Sequence, residues 1–233
     1  MKKPLSREAC SLLPAGIWSG IKDLAGIKME GSGVTIGAMT RHADVAGSAE
    51  VKKAIPALAA LAGMIGDRQV RNMGTLGGAL ANSDPASDYP AAVLGLGATI
   101  NTNKRKIAAD DFFKGLFETA LQAGELITSV SFPAAKRAAY MKFKNQASRF
   151  AIVGVFVADT GSGVRVAVTG AGPCAFRSKE LEAALSKSFT AEAAAGVKVS
   201  DKGLNKDLHA SAEYRAHLIT VMAKRAVQQA LGK

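Results

Sequence analysis

At 233 residues, 48% hydrophobic and 21% charged, the chain can bury a sizeable core as one large domain or two modest ones, and it has no apolar run long enough to cross a bilayer. Thirty Lys and Arg against nineteen Asp and Glu leave a net charge of +11, which suits nucleic acid, an acidic partner protein or a phosphate-rich cofactor. The basic residues are scattered and aromatics are only 6% of the chain, which argues against a nucleic-acid surface and for a solvated face or one docked on a partner subunit. Cys10 and Cys174 are far apart and build no zinc or iron–sulfur site; a reducing, cytoplasmic setting is the expectation. His42, His209 and His217 lack metal-ligand spacing and read as structural or surface residues.

In chain order, MKKPLSREACSLLPAG has a basic start but neither the continuous apolar stretch nor the cleavage site of a secretory signal. IKMEGSGVTIGA, Ile27 to Ala38, reads as strand, glycine turn, strand. MTRHADVAGSAEVKKAIPALAALAGMIG predicts a short helix and then an alanine-rich one, with Thr40 and Ser48 as N-caps, Pro56 in a first turn and Gly66 as the stop. SDYPAAVLGLGA predicts another helix, capped by Ser87 or Asp88, with Pro90 where its missing N–H costs nothing. ELITSVSFP alternates as a strand ending at Pro133.

The texture changes at AAKRAA, Ala134 to Ala139, which divides the chain into residues 1–134 and 135–233. Beyond it AAYMKFK, FAIVGVFVADT and VRVAVTGAG read as three β segments, the last two a hairpin through GSG. RSKELEAALSK and SAEYRAHLITVMAKRAVQQAL have helical periodicity, with AEAAAGVKVSDKGLNKDLHA partly irregular between them. Strands followed by helices predict a small α+β domain.

The chemistry concentrates in MGTLGGALANSDPASDYP, Met73 to Pro90. A Rossmann fingerprint is excluded, because GSGVTIG has the wrong final spacing and GLGATI and GAGPCA lack a third glycine. GTLGG admits two readings. Gly77-Gly78 either makes only a turn or lets backbone N–H groups converge on a diphosphate, with Thr75 adding a hydroxyl. Asn82, Ser87 and Asp88 then offer amide, hydroxyl and carboxylate groups to sugar or ribityl hydroxyls, and Arg68 and Arg71 offer charge to phosphate.

Taken whole, IGDRQVRNMGTLGGALANSDPASDYPAAVLGLGATI closely resembles the flavin-binding, or medium, subunit of the molybdenum hydroxylases, the family of aerobic carbon monoxide dehydrogenase and xanthine dehydrogenase. The resemblance continues through IAADDFFKGLFETALQAGELITSVSFP, YMKFKNQASRFAIVGVFVA, VRVAVTGAG and HASAEYRAHLITVMAKRA, and covers Ile21 to the C-terminus. It implies an α+β fold: a two-lobed FAD-binding domain of the vanillyl-alcohol-oxidase type, then a small domain of antiparallel sheet and helices. It implies FAD as cofactor, held by Thr75, Leu76, Gly77 and Gly78 at the diphosphate, with Asn82, Ser87 and Asp88 downstream and Ile127 and Lys144 beside the flavin. Many relatives carry Asn after the Gly-Gly, where this chain has Ala79.

The family's first flavin motif, with two adjacent glycines, has only ACSLLP, Ala9 to Pro14, as its counterpart, and side chains stand where the glycines belong. The chain is therefore expected to lack the N-terminal FAD lobe, and enclosure of FAD by one lobe alone is expected to cost on the order of a thousandfold in affinity. The implied function is electron transfer. FAD takes electrons from iron–sulfur clusters in a small subunit, which a molybdenum-cofactor large subunit feeds, and passes them to an external acceptor. The alternative is a scaffold subunit that docks on the same partners without flavin.

Overall fold

The computed structural model describes residues 21–232; Cys10 and the ACSLLP segment lie outside the described residues. After a 3-10 turn, Lys22–Leu24, strands β1 (Ile27–Glu30) and β2 (Gly33–Gly37) form the expected hairpin. Gly31 turns it with a φ of +60°, and a side chain at Gly33 would fall on the Phe132 carbonyl of the next strand. These strands join β7 (Ile127–Phe132), β3 (Thr99–Thr102) and β4 (Lys106–Ala108) in an antiparallel sheet of order β1-β2-β7-β3-β4.

Alternation assigns the two faces of this sheet. Val34, Ile36, Ile100, Val130 and Phe132 point into the first core. On the other face the Thr35 and Ser131 hydroxyls lie 2.7 Å apart, and the Asn101 amide donates to Ser129 and Ser131 at 3.1 Å each.

The expected pair of helices before Gly66 is three: α1 (His42–Gly47), α2 (Ala49–Ala54) and α3 (Pro56–Gly63). Ser48 caps α2 as predicted, accepting from the Val51 N–H, and Pro56 opens α3. Thr40 is no cap, because its hydroxyl is bonded to both the N–H and the C=O of Gly26. Helix α3 stops at Gly63, three residues short of Gly66. Next come α4 (Arg68–Met73), α5 (Leu76–Asn82) and α6 (Tyr89–Leu96). Every residue of α6 is buried, as befits a helix apolar on all sides. Between β4 and β7 lie elements the sequence reading left unassigned: α7 (Ala109–Phe112) and the small hairpin β5 (Phe113–Gly115) and β6 (Glu118–Thr119).

The three β segments expected beyond Ala134 are β8 (Arg137–Lys144), β9 (Ala151–Asp159) and β10 (Val164–Thr169), joined at the edge by a short β11 (Phe176–Arg177). Two packed faces explain the nearly unbroken apolar run of β9. Tyr140, Phe156, Ala158 and Ala167 belong to the first core, against α6. Ala139, Val153, Val155, Val157, Val166 and Val168 belong to a second core with α8 (Lys179–Lys187), α9 (Ala191–Ala195) and α10 (Ala212–Ala230). Helix α10 is capped by Ser211 and buries Leu218, Ile219, Met222 and Val227, each worth about 1.5–3 kcal/mol against exposure.

Candidate functional site

The site begins where two segments cross. Residues 38–42, leaving β2, run antiparallel to residues 74–77, entering α5. The Gly77 N–H donates to the Ala38 carbonyl at 2.8 Å, Leu76 to Thr40 at 3.0 Å, and His42 to Gly74 at 3.0 Å. Thr75 caps α5, its hydroxyl accepting from the Gly78 N–H at 3.2 Å, and its carbonyl takes the Ala79 N–H at 3.0 Å. The backbone donors from Leu76 to Ala79 are engaged inside the chain.

Leu76 and Gly77 are buried in the first core, and a Cβ on Gly77 would stand 2.5 Å from that of Ala38. Gly78 is exposed. The charge expected from Arg71 is also committed: its guanidinium donates to the carbonyls of Ile65 at 2.9 Å and Gly66 at 3.2 Å, stapling the turn before α4.

Beside α5 lies a cavity of about 220 Å³. Ala79, Asn82, Asp84, Ser87 and Asp88 line one side; Ile65, Gly66 and Val70 another; Ser148, Arg149 and Phe150, from the β8–β9 loop, a third; His42 also reaches it. Its exposed rim is mixed: Val70, 47% exposed, and Phe150, 49% exposed, stand beside Asn82, Ser148 and Arg149. Three expected residues, Asn82, Ser87 and Asp88, are thus brought together, with Gly78 directly before Ala79 and Thr75 at the N-cap of the same helix. Ile127 sits in the first core at the start of β7, and Lys144 is exposed at the end of β8; neither lines the cavity.

Asp88 does not cap α6. Its backbone is already helical and its side chain makes no cap bond. The carboxylate instead accepts from the Tyr140 hydroxyl at 2.5 Å and from Lys142 Nζ at 2.9 Å, both on β8. Lys142 Nζ also donates to the Met64 carbonyl at 3.0 Å. Burial pushes the Asp88 carboxyl up, opposed by the Lys142 charge and by both hydrogen bonds. Lys142 is thus buried against Asp88, whereas Lys144, two residues on, is exposed. A side chain at Gly154 on β9 would land on the Tyr140 hydroxyl, so that glycine opens the path by which Tyr140 reaches Asp88.

His42 is the residue that sequence reasoning placed elsewhere. It is 4% exposed, its ring centroid is 5.2 Å from that of Tyr89, and burial lowers its pKa to about 4. Among the described residues, neither His42 Nδ1 nor the Tyr89 hydroxyl has a hydrogen-bond partner. No sequence signal marks His42, since only the register of 38–42 against 74–77 brings it to the cavity.

Comparison with known proteins gives this geometry its context. Residues 18–135 match the FAD binding domain in molybdopterin dehydrogenase, and residues 138–230 the CO dehydrogenase flavoprotein C-terminal domain. The carbon monoxide dehydrogenase medium chain of Hydrogenophaga pseudoflava is 35% identical over 226 residues, 90% of this chain and 79% of that one. The glyceraldehyde dehydrogenase medium chain of Sulfolobus acidocaldarius is 37% identical over 173 residues, 70% of this chain and 62% of that one. A solved carbon monoxide dehydrogenase from Hydrogenophaga pseudoflava superposes with a TM-score of 0.79 at 35% identity, over 91% of this chain and 79% of that one. Quinoline 2-oxidoreductase from Pseudomonas putida 86 reaches 0.83 at 24% identity, over 99% and 88%, a likeness of fold alone. The chain belongs to the FAD-binding medium subunits of the molybdenum hydroxylases, and is an oxidoreductase subunit.

The residues present fit FAD in chemistry. The lining carries an amide, hydroxyls, two carboxylates in Asp84 and Asp88, the Arg149 guanidinium and the apolar Val70 and Phe150, and Ala79 and Gly78 leave room for a ligand to lie on α5. At about 220 Å³ the cavity is below the roughly 300–1,000 Å³ of a complete small-molecule site, so it has room for only part of a dinucleotide.

Proposed function

We propose that the chain is the electron-transfer subunit of a multi-subunit molybdenum hydroxylase, in the cytoplasm, with a molybdopterin-containing large subunit and an iron–sulfur small subunit as partners. The observation that carries this is the cavity beside α5, which gathers Asn82, Ser87 and Asp88 behind a rim that includes Val70, Arg149 and Phe150. Bound there, FAD supplies the change between two-electron and one-electron transfer. The chain's own residues bind and orient it. Asn82 and Ser87 address its hydroxyl and phosphate oxygens, the Thr75 hydroxyl hydrogen and exposed Gly78 continue that edge, and Val70 and Phe150 keep water from its apolar face. Asp88 is fixed by Tyr140 and Lys142 before any ligand arrives. The flavin lobe is residues 1–134 and the C-terminal α+β domain residues 135–233. The reducing substrate belongs to the large subunit.

The test is titration of the purified chain with FAD, followed by flavin fluorescence quenching and thermal unfolding. Saturable binding of one FAD is expected, with a rise in Tm and about tenfold weaker binding in Asn82→Leu, the worth of one good hydrogen bond. No quenching and no rise in Tm at saturating FAD would reject the reading.

A further inference from the structure

We propose that His42 is a further ligand-positioning residue of this site: a neutral imidazole that donates from Nε2 to an acceptor oxygen of the bound dinucleotide. The inference rests on the FAD reading above and adds a residue to it. His42 lines the cavity at the first position of α1, held there because its own N–H is bonded to the Gly74 carbonyl at 3.0 Å. Its Nδ1 is buried without a partner among the described residues. Buried polar atoms without partners are rare in folded proteins, and each one invites a specific explanation.

The tautomer follows from that burial. A proton on Nδ1 would be a buried donor with no acceptor, so the neutral ring carries its proton on Nε2. That atom lies against Gly74, where a Cβ would stand 2.5 Å from it. The backbone just before Thr75 is therefore shaped around the imidazole, and glycine at position 74 is what leaves the ring its place. For stability alone a leucine at position 42 would serve better, because it fills similar space and leaves no polar atom unpaired. A histidine at this point, in the lining of a cavity that already gathers Asn82, Ser87 and Asp88, answers to the ligand.

The experiment compares FAD affinity, by fluorescence quenching, with the Tm of the FAD-free protein, in the full chain and its variants. His42→Leu is expected to weaken FAD binding about tenfold, the worth of one hydrogen bond, while the Tm of the FAD-free form holds or rises. His42→Gln, whose amide reaches the Nε2 position, should bind within about threefold of wild type, and His42→Asn, which reaches only the Nδ1 position, should resemble leucine. Gly74→Ala should weaken FAD binding with the histidine still present, because it displaces the ring. Wild-type affinity in His42→Leu would overturn the proposal, as would glutamine no better than asparagine; that second comparison decides the matter if the leucine variant does not fold. Failure of the wild-type chain to bind FAD would instead reject the FAD reading, and this inference with it.

Discussion

A Cβ at Gly77 would stand 2.5 Å from the Ala38 Cβ and 2.9 Å from its carbonyl oxygen, whereas at Gly78 the only near atom is the Thr75 hydroxyl at 2.9 Å. The two glycines are neighbours in sequence, yet one faces the first core and the other faces out. Gly77→Ala therefore forces α5 away from the strand end and should cost about 1–3 kcal/mol of stability, as overpacking does. Gly78→Ala gains about 1 kcal/mol of helix propensity and crowds a cap worth about the same, so its net effect on stability should be close to zero. Denaturant unfolding and FAD titration of both variants separate the cases. Loss of flavin should follow loss of fold at Gly77, and should exceed it at Gly78. Equal unfolding midpoints for the two would refute this division of labour.

The element that fixes the site is α6, tied to β8 through Asp88, Tyr140 and Lys142. Tyr140 and Lys142 stand two residues apart and share a face of their strand, so one carboxylate takes both. Lys142 and Asp88 have side chains 2% and 4% exposed. Removing one partner leaves the other charge buried without compensation. Lys142→Met should thus cost about 3 kcal/mol or more, and adding Asp88→Asn to it should cost less than the two single changes summed, which a double-mutant cycle on unfolding free energies measures. Strict additivity would mean the pair carries no coupling.

Much of this element was legible beforehand. Pro90 and the apolar run gave α6, and the alternation of AAYMKFK gave β8. The partner of Asp88 was not, because a strand pattern says which residues share a face but not how far along it the neighbouring helix lies. Lys142 and Lys144 are equivalent in that pattern, and only tertiary register makes the first buried and the second exposed. For the same reason Asn82, Ser87 and Asp88 were found as local neighbours, while the walls supplied from 65–70 and 148–150 were not.

At the scale of the molecule, the sheet β11-β10-β9-β8 is shared by both cores. FAIVGVFVADT was read as a strand, and its lack of polar alternation is the sign that both faces are covered. A change of texture near residue 134 is a property of the chain, whereas the packing runs across it: α6 lies on β9 and β10, and α3 on β8. Gly95 lets α6 come this close, since a Cβ there would stand 2.6 Å from the Phe156 ring. Wild-type protein should therefore unfold in urea as one cooperative transition, with circular dichroism and tyrosine fluorescence coincident. Gly95→Leu should push α6 off Phe156, lower the midpoint, and separate the two cores, so that hydrogen exchange in β2 and in α10 no longer reports the same opening free energy. The second core keeps its own valine face and α10, so it should be the later to open. Two transitions already present in the wild type would show instead that the shared sheet does not couple the cores, and that FAD and the partner subunits must supply the coupling between them.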